Sequence, residues 1–259
     1  MLMLSLLVSA AGAQDKSRTL RIQAGPVPLK GKVIYGASHA LLIGVNEYPH
    51  LPKDKWLDYA LNDVNALKEV LTTCYGFAPE NVKVLTNAKA TKENIMKALY
   101  ALADSKKVKQ DDRILVYFSG HGQTVKISAG EMGFILPSDA KVDLDDFDNA
   151  TPFLGSCIKM EHVWDALEST PAKHALFLAD SCYSGLAVKV KSAAKIPHSV
   201  LLALTAHRAM QVITAGRKGE QSVELSRYGH GVFTYKLLEY LKAQATTPGL
   251  AFTVSDLAA

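Results

Sequence analysis

Cysteine is scarce in this chain. There are three, Cys74, Cys157 and Cys182, and an odd number excludes a fully paired set within one chain. Their spacing matches no zinc site, and no pair of histidines has the H-E-x-x-H spacing of a metal hydrolase. A G-x-S-x-G elbow is missing, and Gly216-Arg217-Lys218-Gly219 is too short for a phosphate-cradling loop. No block of five Lys or Arg occurs, and the formal net charge is only +4. The composition therefore argues against a nucleic-acid tail or a polybasic membrane patch, and the basic residues read as a solvated surface. The apolar stretch at residues 1–10 is too short to span a bilayer. There is no internal repeat and no low-complexity segment.

What is present is an ordinary globular composition. With 259 residues, 48% hydrophobic and 21% charged, the chain suits one substantial domain or two small ones, with a core that needs neither disulfides nor metals. The apolar start followed by Ala11-Gly12-Ala13 fits an A-x-A cleavage pattern before Gln14, although a positive n-region is lacking. Residues 1–13 are thus expected to be a signal peptide, and the protein secreted or periplasmic, with no stable membrane insertion after cleavage. A Cys74–Cys157 disulfide would suit an exported protein, but both lie in apolar stretches and read better as buried thiols. Residues 14–37 form a polar leader or short edge-strand extension.

From Ser38 the pattern becomes regular. Apolar runs at residues 39–45, 113–118 and 173–179 are expected strands covered on both faces, with further strands at 81–85, 200–205 and 211–215. Residues 48–56 carry two prolines and read as a loop. Leu61, Val64, Leu67 and Leu71 have helical spacing within 57–72. Thr91 is placed to cap a helix with Ile95, Leu99 and Leu102 on its apolar face. Further helices are expected at 160–169 and 231–243. Strands alternating with helices imply an α/β three-layer sandwich with a mainly parallel sheet. Ligands of such sheets bind beyond the carboxyl ends of the strands.

Two strands run into chemically loaded turns there: Ser119-Gly120-His121-Gly122 and Asp180-Ser181-Cys182-Tyr183-Ser184-Gly185. A thiol attacks a carbonyl as thiolate, and an imidazole supplies the base and later the acid. Neighbouring parallel strands bring such turns within side-chain reach whatever their separation in sequence. His121 and Cys182 are therefore the candidate pair. Gly120 and Gly122 would let the backbone approach a substrate, and the N–H groups of Gly122 and Cys182 are the candidate oxyanion hole. Taken singly, each residue has a blander reading, a turn histidine and a buried thiol. Of the other histidines, His174 reads as core, His162 as helical, and His207 and His230 as loop residues.

The segments HALLIGVNEY, LNDVNALKEVL, VYFSGHG, GFILPSDA, LFLADSCYSG and GHGVFTYKLLEYL, in this order, resemble the caspase-like peptidases, and most closely their bacterial metacaspase-like branch. The likeness covers roughly residues 38–243, leaving 244–259 as a segment that breaks off just after a helix start at Ser255-Asp256. It implies a caspase-like fold, with His121 as base and acid and Cys182 as nucleophile. It also implies that Asp63, Ser119 and Asp180 line the S1 pocket. Tyr183 stands where metacaspases often have His. Plainer readings are a solvated helix charge for Asp63 and a helix-capping turn residue for Asp180.

The expected function is a cofactor-free cysteine endopeptidase acting on protein or peptide substrates and cutting after Arg or Lys, because two carboxylates suit a cation and repel an Asp substrate. Arg208 and Arg217 lie in later loops and would reverse the pocket's sign if they reached it. The alternative is an inactive caspase-fold interaction module. Metal is not expected to be needed. Where metacaspases have paired acids this chain has Ile158-Lys159-Met160, and Lys159 is no ligand for a hard cation. Asp143, Asp145, Asp146 and Asp148 read as a solvated acidic loop. Oligomeric state has no signature in the sequence.

Overall fold

A computed structural model describes residues 6–7, 27–29, 32–128, 130–146, 148–181, 207–215, 224–245 and 251–252. Cys182, Arg217, the strand expected at 200–205 and the candidate cleavage site before Gln14 lie outside the described residues.

Among the described residues, five parallel strands form the central sheet: β1 (Ser38–Gly44), β2 (Val82–Thr86), β3 (Arg113–Ser119), β4 (His174–Asp180) and β5 (Ala209–Thr214). Their order is β2-β1-β3-β4-β5, with every neighbouring pair parallel. The direction of winding reverses between β1 and β3, so the crevice beyond their carboxyl ends is the switch point at which such sheets bind ligands. β3 and β4 are buried along their whole length, as their unbroken apolar runs require.

The α-helices among the described residues are α1 (Ala60–Cys74), α2 (Lys92–Ala101), α3 (Thr151–Ser156), α4 (Met160–Glu168) and α5 (Val232–Ala245). Because side chains alternate across a strand, one set of β residues packs each helix layer. Leu42, Leu115, Tyr117, Leu176 and Leu178 meet Val64, Leu67 and Leu71 of α1 and Leu237, Leu238 and Leu241 of α5. Ile43, Val116, Phe118, Phe177 and Ala179 meet Ile95 and Leu99 of α2 and Val163 and Leu167 of α4. Truncating a fully buried leucine such as Leu67 to alanine would cost about 2–5 kcal/mol.

Thr91 caps α2 as expected, its side chain accepting the Asn94 N–H. The first helix begins three residues later than its apolar spacing suggests. Leu57 N–H donates to Asn46 O instead, so residues 56–59 belong to the loop. Strands Gly122–Ile127 and Gly130–Ile135 form an antiparallel hairpin, extended by Ile158–Lys159. None of this small sheet is apparent from periodicity, because Gly and polar residues dilute the alternation. His174 is core, fully buried between Tyr35 Oη, 2.5 Å from its Nδ1, and His207 O. Cys157 is buried and Cys74 only half-buried, and both are free thiols; Cys74 is thus more accessible than its apolar neighbours suggest.

Candidate active site

The carboxyl ends of β1, β3 and β4 are tied together by backbone bonds. Val45 N–H donates to Ser119 O and Gly120 N–H to Asp180 O. Ser119 and Asp180 are partners in register, so the turn bearing His121 and the residues leading to Cys182 leave the sheet side by side. Ser181, the last described residue before Cys182, is fully buried.

Three contacts from the loop after β1 hold His121. Its main-chain N–H donates to Tyr48 Oη at 2.8 Å. Its ring packs on the Tyr48 ring, centroids 4.9 Å apart. Its Nε2 lies 2.5 Å from Lys55 O. A carbonyl only accepts, so Nε2 carries the proton and the Nδ1 lone pair is the basic one. Burial depresses the His121 pKa below its ordinary value, an effect that the Lys55 carbonyl opposes. Gly120 has a reason inside the protein as well. A Cβ there would lie 2.8 Å from Tyr48 Oη and from the Phe118 ring, so the glycine makes room for the tyrosine that braces His121. Leu136 N–H donates to His121 O, which makes Gly122–Ile135 a non-hydrogen-bonded pair and turns the Gly122 N–H away from the hairpin partner.

A second cluster lies beside the first. Asp63, on the first turn of α1, is buried rather than solvated. It accepts from Ser119 Oγ at 2.9 Å and meets His230 Nδ1 at 2.8 Å. Burial, and then the charge of Asp180, push its carboxyl up to about 8, with the Ser119 and Gly231 hydrogen bonds pulling the other way. Asp180 is buried too. Its Oδ2 accepts from Thr234 N–H at 3.0 Å and Thr234 Oγ1 at 2.6 Å. Since that hydroxyl donates to Asp180, it accepts from Tyr117 Oη, 2.5 Å away. Asp180 therefore caps a helix distant in sequence, α5. Gly231 has to be glycine here, because a Cβ would fall 2.2 Å from Asp180 Oδ2.

Asp63, Ser119 and Asp180 are thus brought together. His230, read from the sequence as a loop residue, lies on the short strand His230–Gly231 and belongs to the cluster. Glu224, which nothing in the sequence marks, holds the backbone just before α1. The only sequence signal for His230 is its place in the GHGVFT segment; for Glu224 there is none. Arg208 is bound to Glu168 O and Thr170 O, beside the start of β5 at the opposite sheet edge, so it leaves the sign of the acidic cluster unchanged. Lys55 Nζ and Asp145 form an exposed ion pair at 3.2 Å, as do Lys126 and Asp148 at 3.4 Å, in keeping with a solvated acidic loop.

Comparison with known proteins follows the same lines. A family model described as Caspase domain matches residues 37–257. Metacaspase-7 of Arabidopsis thaliana is 34% identical over 161 residues, 58% of this chain and 35% of that protein. Metacaspase-6 of the same plant is 35% identical over 121 residues, 42% of this chain and 32% of that protein. Metacaspase-1 of Eremothecium gossypii is 28% identical over 162 residues, 59% of this chain and 33% of that protein. The chain spans about a third of the length of these relatives. A solved Geobacter sulfurreducens structure superposes with TM-score 0.54 at 20% identity, covering 80% of this chain and 83% of that one, which speaks to the fold alone. The five-stranded parallel sheet between two helix layers and the family match over most of the chain place it together: this protein belongs to the caspase-domain family of cysteine peptidases, with metacaspases among its relatives.

Proposed function

We propose that the protein is a cysteine endopeptidase that uses Cys182 and His121 and cleaves after Arg or Lys. The observation that carries this reading is the bracing of His121. Its Nε2–H is committed to Lys55 O, which leaves the Nδ1 lone pair to take the thiol proton. The Cys182 thiolate attacks the substrate carbonyl carbon. The negative charge that develops on the carbonyl oxygen is met by the N–H groups of Gly122 and Cys182. The imidazolium then protonates the departing amine as the C–N bond breaks, and the acyl group stays on sulfur. Water, deprotonated by His121, attacks the thioester and releases the acid and the free thiol.

Asp63, Ser119 and Asp180 are read as the S1 pocket. Two buried carboxyl groups side by side, Asp63 and Asp180, favour a cationic side chain, and an Asp substrate would be disfavoured there. Export through residues 1–13 is part of the same proposal, as is activity without a cofactor. Among the described residues, no helix is long and apolar enough to cross a membrane. The test is a fluorogenic peptide library varied at the position before the reporter group. Release from Arg and Lys peptides, lost in Cys182→Ala, is the expected result, and preferential release from Asp peptides would refute the specificity.

A further inference from the structure

Helix α1 carries Asp63 yet has no cap of its own. Its N-cap residue is Tyr59, whose side chain makes no cap bond. Side chains distant in sequence hold Leu61 N–H and the two amides just before the helix. Leu61 N–H donates to Asn46 Oδ1 at 3.1 Å. Asp58 N–H donates to Glu224 Oε2 at 2.9 Å, and Tyr59 N–H to Glu224 Oε1 at 3.0 Å. Glu224 thus grips two successive amides with both oxygens, across a separation of 166 residues.

The grip lies at a junction. On one side, four residues along α1, is Asp63. On the other, three residues back, is Lys55, whose carbonyl holds the His121 ring. Glu224 also pairs in register with Gly231, next to His230 on Asp63. One carboxylate therefore connects the brace of the catalytic histidine with the acidic cluster. Glu224 sits half-buried beside Asp58 and Asp180, whose charges work against it.

We propose that Glu224 is a positioning residue for the reaction: by holding Asp58 and Tyr59 it keeps the Lys55 carbonyl on His121 Nε2 and so maintains the tautomer that takes the thiol proton. This rests on the reading of His121 and Cys182 as the reacting pair. Asp63 has its own ties to Ser119 and His230, so losing Glu224 falls mainly on the loop and on kcat.

The experiment uses the full chain with Glu224→Ala, Glu224→Gln and Glu224→Asp. It has two readouts: steady-state kinetics on an Arg peptide, and nitrogen–proton correlation spectra of the histidine rings, with His121 assigned by difference from His121→Asn. Expected for Glu224→Ala is a kcat lower by about tenfold, KM within about threefold of the parent, and a His121 ring shifted from the Nε2–H form to a mixture. Glu224→Gln, which keeps one carbonyl acceptor, should lie between. A folded Glu224→Ala with parental kcat and an unshifted His121 ring overturns the proposal. So does a loss of activity that vanishes on cooling to where the variant is fully folded. If Glu224→Ala does not fold, the same two readouts on Glu224→Gln decide. If the parent cleaves no peptide, the reading of the pair falls, and the ring spectra alone then decide whether Glu224 sets the tautomer.

Discussion

Tyr48 Oη accepts the main-chain N–H of His121 at 2.8 Å, and the two rings pack with centroids 4.9 Å apart. Tyr48 is fully buried, and Gly120 makes room for its hydroxyl. The loop after β1 and the turn after β3 are therefore one interlocked unit. Tyr48→Phe removes only the oxygen and leaves the part-buried His121 N–H without this acceptor. It should cost about 1–3 kcal/mol of stability and lower kcat by about tenfold with little change in KM. Urea unfolding and peptide kinetics measure both, and an unchanged kcat would deny Tyr48 its role in placing His121.

Cys182→Ala should abolish peptidase activity with the fold intact, and His121→Ala should do nearly the same, because residues acting as a unit are not additive. Iodoacetamide should label Cys182 well before Cys157, whose thiol burial pushes up to about 12. Mass spectrometry finding all three cysteines labelled at one rate would count against an activated pair.

Asp63 predicts a pH dependence with a definite sign. Its folded pKa of about 8 lies above the ordinary 3.8. Between those values the folded protein holds a proton that the unfolded chain has released, so its contribution to stability declines as pH rises through that window. Asp63→Asn lacks this titration. Relative to the variant, the parent should lose up to about 4 kcal/mol, roughly ten degrees of Tm, between pH 5 and about 8.5. An arriving guanidinium favours the carboxylate, so kcat/KM for Arg peptides should rise toward pH 8 in the parent and stay low and flat in Asp63→Asn. A stability difference independent of pH would show that Asp63 does not titrate there.

Asp180 needs a gentler probe than alanine. Asp180→Ala leaves Thr234 N–H and Oγ1 without their acceptor and should cost about 1–3 kcal/mol, which confounds a loss of activity. Asp180→Asn retains a carbonyl for the Thr234 N–H while removing the charge. It is expected to lower kcat/KM for Arg and Lys peptides by about tenfold or more, with Cys182 still alkylated at the parental rate. Parental kcat/KM in a folded Asp180→Asn would remove Asp180 from the pocket.

Activity is expected without calcium. Lys159 lies on the short strand paired with Phe134, and an ammonium offers a hard cation no oxygen. Assays with and without chelator settle this: activity abolished by chelator and restored by millimolar calcium would overturn it.

Much of this protein was legible in its sequence because the signals are local. The runs leading into Ser119 and Asp180 could only be doubly covered strands, and two strands ending in SGHG and DSCYSG point to one sheet edge. Helix α2 announces itself through Thr91. The hairpin at Gly122–Ile135 is weaker, since Gly130, with its positive φ of 129°, and the polar residues around it break the alternation that marks a strand. What tertiary structure alone decided is where hydrogen-bond donors far apart in sequence find acceptors. The family resemblance marks Asp63 and Asp180, but the sequence does not tell that His230 joins one and that the other caps the helix of Thr234. Nor could it tell that Glu224 would close the start of α1. A lone His, Thr or Glu in a loop has no periodicity. Its role is set by which buried polar group lies opposite once the sheet has closed, and only the folded chain supplies that neighbour.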